Sequence, residues 1–273
     1  MSVDKPDLFT DPNGADVGRL FCGECLDVDA AFAIVEFLDT EGATGFGFPS
    51  LASLSPRAAR VLSTAQIGGY EFDRLSELDR GAAGAISLHQ GPFLSFPGIT
   101  RLDSATAWAL RGHREQLYLD GVRELARDAA VGLAHHKGQL SLMSLESLPL
   151  ETAMHMAEYS GSVLRLGVKH LDDDAGEAIA RYAGELWLPH LEQLTDRLVQ
   201  ALGSHSGGFL LLCGVTRFFQ RWVPALAKHQ GGVNLTGLEH VSAETLDLLR
   251  QHQHIYLPHR YRQSQESGPS IDV

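Results

Sequence analysis

The apolar positions along the chain fall into one spacing that returns. Between residues 140 and 156 they are Leu140, Leu142, Leu145, Leu148, Ala153 and Met156. The same offsets start at Tyr70, Leu94, Leu117, Leu186, Leu210 and Val233, and an earlier copy starts at Phe46 and Phe48. The copy at Leu164 and Leu166 needs a one-residue deletion before Val168, and Ile255 and Leu257 begin a truncated one. Starts at 46, 70, 94, 117, 140, 164, 186, 210, 233 and 255 lie 22 to 24 residues apart. A fixed period in that range is the signature of a repeat architecture.

Each copy predicts the same elements. An alternating L-x-L piece has the period of a strand. Two further apolar positions cover a turn. Ser55, Asp79, Asp103, Asp172, Thr195 and Ser242 then share one column, where a side-chain oxygen can cap a helix. Pro56 follows Ser55 at the first helical position, which needs no N–H. An Ala-rich helix of about three turns is expected next. Gly68, Gly91, Gly138, Gly161, Gly184, Gly207 and Gly231 close the units, as left-handed C-caps would.

One such unit buries too little apolar surface to offset the ordering of its backbone, so the units must stack. Strands spaced at ~4.8 Å and helices ~10 Å across cannot stack without bending. The expected fold class is therefore α/β: a right-handed β/α solenoid with its parallel sheet on the concave face and its helices on the convex face. Residues 1–45 are expected to form an acidic N-terminal cap, with "DVDAAFAIVEFL" as its helix and Leu20, Cys22 and Cys25 imitating the apolar spacing. Residues 46–262 would hold about nine repeats plus a terminal strand, and 263–273 a flexible tail.

The copies resemble leucine-rich repeats, and most closely a bacterial type with the pattern LxLxGLxxLsxxAAxaLaxHxG. "LYLDGVRELARDAAVGLAHHKG" at 117–138 follows that pattern almost position for position. The better-known form carries an Asn ladder where this chain has Leu51, Leu75, Ile99, Val122 and Leu145. The resemblance implies an arc-shaped fold and a binding or scaffolding role on the strand face, with no catalytic residues to carry over.

Charge and composition narrow the partners. The net charge is −12, and residues 1–41 alone hold ten acidic residues against Lys5 and Arg19. That balance disfavours nucleic acid and anionic membrane. No apolar run reaches the ~18–20 residues of a membrane helix. The polar, acidic start lacks the apolar stretch of a secretory signal. Three cysteines, Cys22, Cys25 and Cys213, cannot make a disulfide framework. A cytoplasmic location and a monomer are expected.

Candidate chemistry is sparse. The pair His135–His136 looks like the start of a metal or acid–base site until the period is applied. His136 then falls in a column with Gln66, His89, His113, Tyr159, Tyr182, His205, His229 and His252. A planar, polar-tipped side chain there could bond the free carbonyls of its helix end, and a protonated imidazole would suit that negative end. The alternative is a histidine ladder that binds metal or senses pH. Cys22 and Cys25 form a C-x-x-C with no companion ligand pair. No phosphate-binding loop, G-x-S-x-G, H-E-x-x-H or dinucleotide fingerprint is present. The final "SIDV" fits a C-terminal peptide ligand only loosely. No cofactor, metal or enzymatic activity is expected.

The informative surface is the outward position between the two core residues of each strand. In order it reads Gly47, Glu71, Ser95, Tyr118, Ser141, Arg165, Trp187, Leu211, Asn234 and Tyr256. Aromatic and Arg side chains, the types enriched in binding hot spots, gather from Tyr118 onward. The expected function is non-enzymatic binding of a protein or peptide through Tyr118, Arg165, Trp187, Leu211, Asn234 and Tyr256. The alternative is a metal- or pH-responsive role for the histidine column or the Cys22/Cys25 pair.

Overall fold

The computed structural model describes residues 25–41 and 45–262. Leu20, Cys22, most of the acidic N-terminal segment and the tail at 263–273 lie outside the described residues. The strands are β1 (Cys25–Leu26), β2 (Phe46–Gly47), β3 (Ser53–Leu54), β4 (Gly69–Glu71), β5 (Phe93–Ser95) and β6 (Gln116–Tyr118). They continue with β7 (Gln139–Leu142), β8 (Val163–Leu166), β9 (Glu185–Trp187), β10 (Phe209–Leu211), β11 (Gly232–Asn234) and β12 (Ile255–Tyr256). The helices are α1 (Val28–Glu41), α2 (Pro56–Leu62), α3 (Arg80–Ile86), α4 (Ser104–Leu110) and α5 (Arg127–Leu133). After them come α6 (Leu150–Met156), α7 (Asp173–Ile179), α8 (Asp196–Gly203), α9 (Val223–Leu226) and α10 (Ala243–Arg250).

Ten of the described strands form one parallel sheet in chain order, from β2 through β4 to β12, while β1 pairs with β3. Repeated α/β units thus lie side by side, each strand from β4 to β11 followed by a helix. The register places the same repeat position opposite itself: Leu94 faces Leu117, Leu117 faces Leu140, and Leu140 faces Leu164. Leu186, Leu210, Val233 and Ile255 extend that row. Edge strands β2 and β12 have two residues each.

The core is the repeating apolar set. Leu140, Leu142, Leu145, Leu148, Ala153 and Met156 are all buried, as are their counterparts from Tyr70, Leu94 and Leu117. Leu194, Val241 and Leu246 are partly buried. One core column is aromatic at its start: the rings of Phe48, Phe72 and Phe96 stack at 5.1 and 5.2 Å, nearly parallel. Leu119, Leu142, Leu166, Leu188 and Leu212 occupy that column further on. Hydroxyls tie unit to unit: Thr106 Oγ1 donates to Leu78 O at 2.8 Å and Thr152 Oγ1 to Leu125 O at 3.3 Å.

The caps follow the sequence with one exception. Ser55, Asp79, Asp103, Thr195 and Ser242 accept hydrogen bonds from backbone N–H groups of the first helical turn. Asp172 occupies the same slot without a side-chain cap bond. The helices are shorter than expected. From α2 to α7 each has seven residues, about two turns rather than three. α9 is shorter still and is entered by a 3-10 turn at Gln220–Trp222.

The glycine column requires a correction. Gly91, Gly138, Gly161, Gly184, Gly207 and Gly231 adopt no left-handed φ, and the helices end earlier, on right-handed residues such as Ser87, Ala134 and Ala180. What these positions need is room. A Cβ on Gly138 would lie 1.6 Å from Glu115 O, and one on Gly161 2.0 Å from Gly138 O. On Gly184 it would meet the Tyr182 hydroxyl at 2.1 Å. Glycine sits here because the next unit's backbone and the ring two residues earlier pass too close for any side chain.

Candidate functional site

Alternation along each strand sends two residues into the core and leaves their neighbours on the outer sheet face. The parallel register then aligns those outward neighbours from strand to strand. Gly47 faces Glu71, Glu71 faces Ser95, Ser95 faces Tyr118, and Tyr118 faces Ser141. Ser141 faces Arg165, Arg165 faces Trp187, and Leu211 faces both Trp187 and Asn234, which in turn faces Tyr256. All six residues singled out from the sequence therefore lie in one continuous row.

The row changes character along its length. Gly47, Glu71, Ser95 and Ser141 are buried; Tyr118, Arg165, Trp187, Leu211 and Asn234 are half-buried; Tyr256 is exposed at 46 %. The Arg165 guanidinium lies over the Trp187 ring, 4.3 Å from its centroid. A cation over an indole face gains roughly 0.5–2 kcal/mol, depending on how dry the pair is. Arg165 Nη2 also donates to Gln139 Oε1 at 3.3 Å, and Trp187 Nε1 donates to Glu185 Oε2 at 3.3 Å. Arg165 Nε is buried without a partner.

Gln139 and Glu185 belong to a second outward row, two residues earlier in each strand, which the sequence reading passed over. Gln116 accepts the Tyr118 hydroxyl, and the rings of Phe93 and Tyr118 meet edge-on at 6.4 Å. Phe209 and Tyr256 approach to 6.0 Å across Gly232, whose missing side chain leaves them space. Extending the alternation by one step toward the N-terminus of each strand would have found this row. Together the two rows make a face of aromatic rings in which Gln116 and Glu185 hold the polar ends of Tyr118 and Trp187 on the same strands. Such a face can pack against an apolar group and offer hydrogen bonds at its margin.

The histidine column lies elsewhere, beyond the helix ends and inside the fold. His89, His113, His136, Tyr159, Tyr182, His205 and His229 are all buried. Ring centroids step from His113 to His136 at 6.4 Å, to Tyr159 at 6.3 Å, to Tyr182 at 5.7 Å and to His205 at 6.5 Å. The polar atoms of His113, His136, Tyr159 and Tyr182 reach the preceding unit, not the free carbonyls of their own helices. His113 Nδ1 donates to His89 O at 3.2 Å and His136 Nε2 to Glu115 O at 3.1 Å. The hydroxyls of Tyr159 and Tyr182 donate to Gly138 O and Gly161 O at 2.9 and 2.7 Å. His205 Nδ1 and His229 Nε2 share a hydrogen bond of 3.1 Å.

These imidazoles are neutral, contrary to the protonated helix-end role. Burial first, and a neighbouring imidazole second, push His89, His136 and His205 down to about 4. Burial lowers His113 and His229 in the same way and raises the phenols of Tyr159 and Tyr182. Both ring nitrogens of His89 and one each of His113, His136 and His205 have no partner. Among the described residues, no group of three or more His, Cys, Asp or Glu side chains is placed to hold a metal ion. Cys25 is exposed, with Sγ 3.1 Å from Ser53 Oγ, and Cys22 lies outside the described residues. No helix among the described residues is long and apolar enough to cross a membrane.

Comparison of the chain with protein-family models and with curated proteins finds no match in either.

Proposed function

We propose that the chain is a right-handed β/α solenoid of the leucine-rich-repeat type, its sheet on the concave face, and that this face binds a protein or peptide. The reading is of a non-catalytic, cytoplasmic scaffold, capped by residues 1–45 and tailed by 263–273. The contacts are Tyr118, Arg165, Trp187, Leu211, Asn234 and Tyr256, with Gln139 and Glu185 fixing the central pair. One observation carries the reading: the outward row is continuous from strand to strand, and its aromatic and cationic members concentrate from β6 to β12. Arg165 and Trp187 form the centre because each already holds the other in place, so a partner meets a surface with little entropy left to lose.

The test is affinity capture from a native lysate with wild type and with the double variant Arg165→Ala, Trp187→Ala. A partner retained by wild type and lost by a variant of nearly unchanged melting temperature supports the reading. Identical capture by both proteins moves the contact surface elsewhere.

A second reading, acid response by the histidine column, is favoured by neutral, buried imidazoles with unpartnered nitrogens. Equal melting temperatures at pH 5 and pH 8 would remove it.

A further inference from the structure

Charge on the helix layer is uneven. Around α7 and α8 two arginines are paired: Arg197 reaches Asp174 at 2.9 Å and Glu177 at 2.7 Å, and Arg221 reaches Asp196 at 2.8 Å. Around α3 and α4, Arg101 pairs with Glu124 at 3.6 Å but two other arginines do not pair. Arg80 opens α3 and Arg111 follows α4, and neither forms an ion pair among the described residues. The carboxylates that precede these two helices, Asp79 and Asp103, are taken up in capping their N–H groups.

Between these arginines the helices leave a cleft of about 330 Å³, lined by Arg80, Ala105, Trp108, Ala109 and Arg111. Among the described residues, no carboxylate lines it. Its walls are two alanines and a half-buried indole. Gly84 of α3 stands beside Ala109, where an added Cβ would meet only the Ala109 Cβ at 3.9 Å. The Arg111 guanidinium sits 4.8 Å from the Trp108 ring centroid, and the His135 ring packs on that indole at 4.8 Å. Arg111 is therefore held at the cleft by the aromatic ring, with its N–H groups free of any carboxylate.

We propose that this cleft is a binding site for a small oxyanion carried on an apolar ring, such as an aryl phosphate or an aromatic carboxylate. Two arginines line a space bordered by no negative side chain among the described residues, which selects an oxyanion and can bind it through charge-assisted bonds. The alanine and indole walls offer nothing to a hydrated ion but pack well against a ring. The volume lies at the small end of ligand clefts, so one ring with its anionic group fills it. The net charge of −12 does not oppose this at close range, because fields beyond ~8 Å are screened at physiological salt. The site lies on the helix layer and is independent of the sheet face.

The test is isothermal titration of the full chain with phenyl phosphate, benzoate and inorganic phosphate, together with the indole N–H resonance of Trp108. Phenyl phosphate is expected to bind saturably and to shift that resonance, with inorganic phosphate at least about 10-fold weaker. Arg80→Gln and Arg111→Gln should each weaken phenyl phosphate by about 10-fold or more, while Arg181→Gln, on another unit, should not. A short phosphotyrosine peptide that binds as well as phenyl phosphate makes a partner's side chain the source; clearly weaker binding makes it a free small molecule. No saturation at ~10 mM, equal binding of inorganic and phenyl phosphate, or indifference to both arginine variants would overturn the proposal.

Discussion

Two columns recur once per unit, and they have opposite fates. The column through His89, His136, Tyr159 and Tyr182 keeps planar, polar-tipped residues because each ring is fitted between a glycine of its own unit and the backbone of the unit before. The outward row through Ser95, Tyr118, Arg165 and Leu211 changes residue type at every step. Its neighbours touch, as Arg165 and Trp187 do, but no backbone of the unit before closes over the position as Glu115 O does at Gly138. Periodicity alone therefore does not mark function: the uniform column reports fit between units, and the variable row is where the proposed contacts lie.

The largest expected effect comes from breaking the fitted column. Gly138→Ala drives a Cβ into the Glu115 carbonyl and should cost about 4 kcal/mol or more in urea unfolding, whereas Gly208→Ala meets nothing within 4 Å and should be nearly neutral. Acid comes next. The buried imidazoles have lowered values, so their contribution is fully present above pH 6.5 and is lost as pH falls toward about 4. In that window the unfolded chain takes up protons that the folded chain refuses. The loss should amount to about 1–3 kcal/mol for each of His89, His136 and His205. His136→Gln, which installs the residue found at position 66, should flatten the slope of stability against pH.

A smaller change is expected for Tyr159→Phe, which removes only the bond to Gly138 O and should cost about 1 kcal/mol with the stack retained. Smallest is the stability effect of the Arg165→Ala, Trp187→Ala pair on the half-buried row. A melting temperature shifted as far as by Gly138→Ala would erase the distinction between the two columns.

Much of this was legible in the sequence. The apolar offsets from Leu140 to Met156 located strand, turn and helix, and Ser55, Asp79 and Asp103 marked the helix starts, because those signals are local. Two features were not, because their cause lies in the neighbouring unit. A glycine placed for left-handed φ and one placed for close approach look the same in a single chain, so Gly138 read as a cap. His136 likewise gives no hint in sequence that its partner is Glu115 O, one unit away. The helices came out shorter because the turn after the helix claims the residues from the cap to His136. On the sheet face the row of Tyr118, Arg165 and Trp187 was legible by alternation, while Gln139 and Glu185 emerged only when their bonds to that row were seen.

The two-residue strands at either margin of the sheet have a consequence for how molecules meet in solution. Each is followed two residues later by a proline, Pro49 after Gly47 and Pro258 after Tyr256. An incoming chain thus finds barely one rung to grip and an imide where the next donor would stand. Zippering of one molecule onto another, the ordinary hazard of a long parallel sheet, is blunted at both margins by a pair of imino acids.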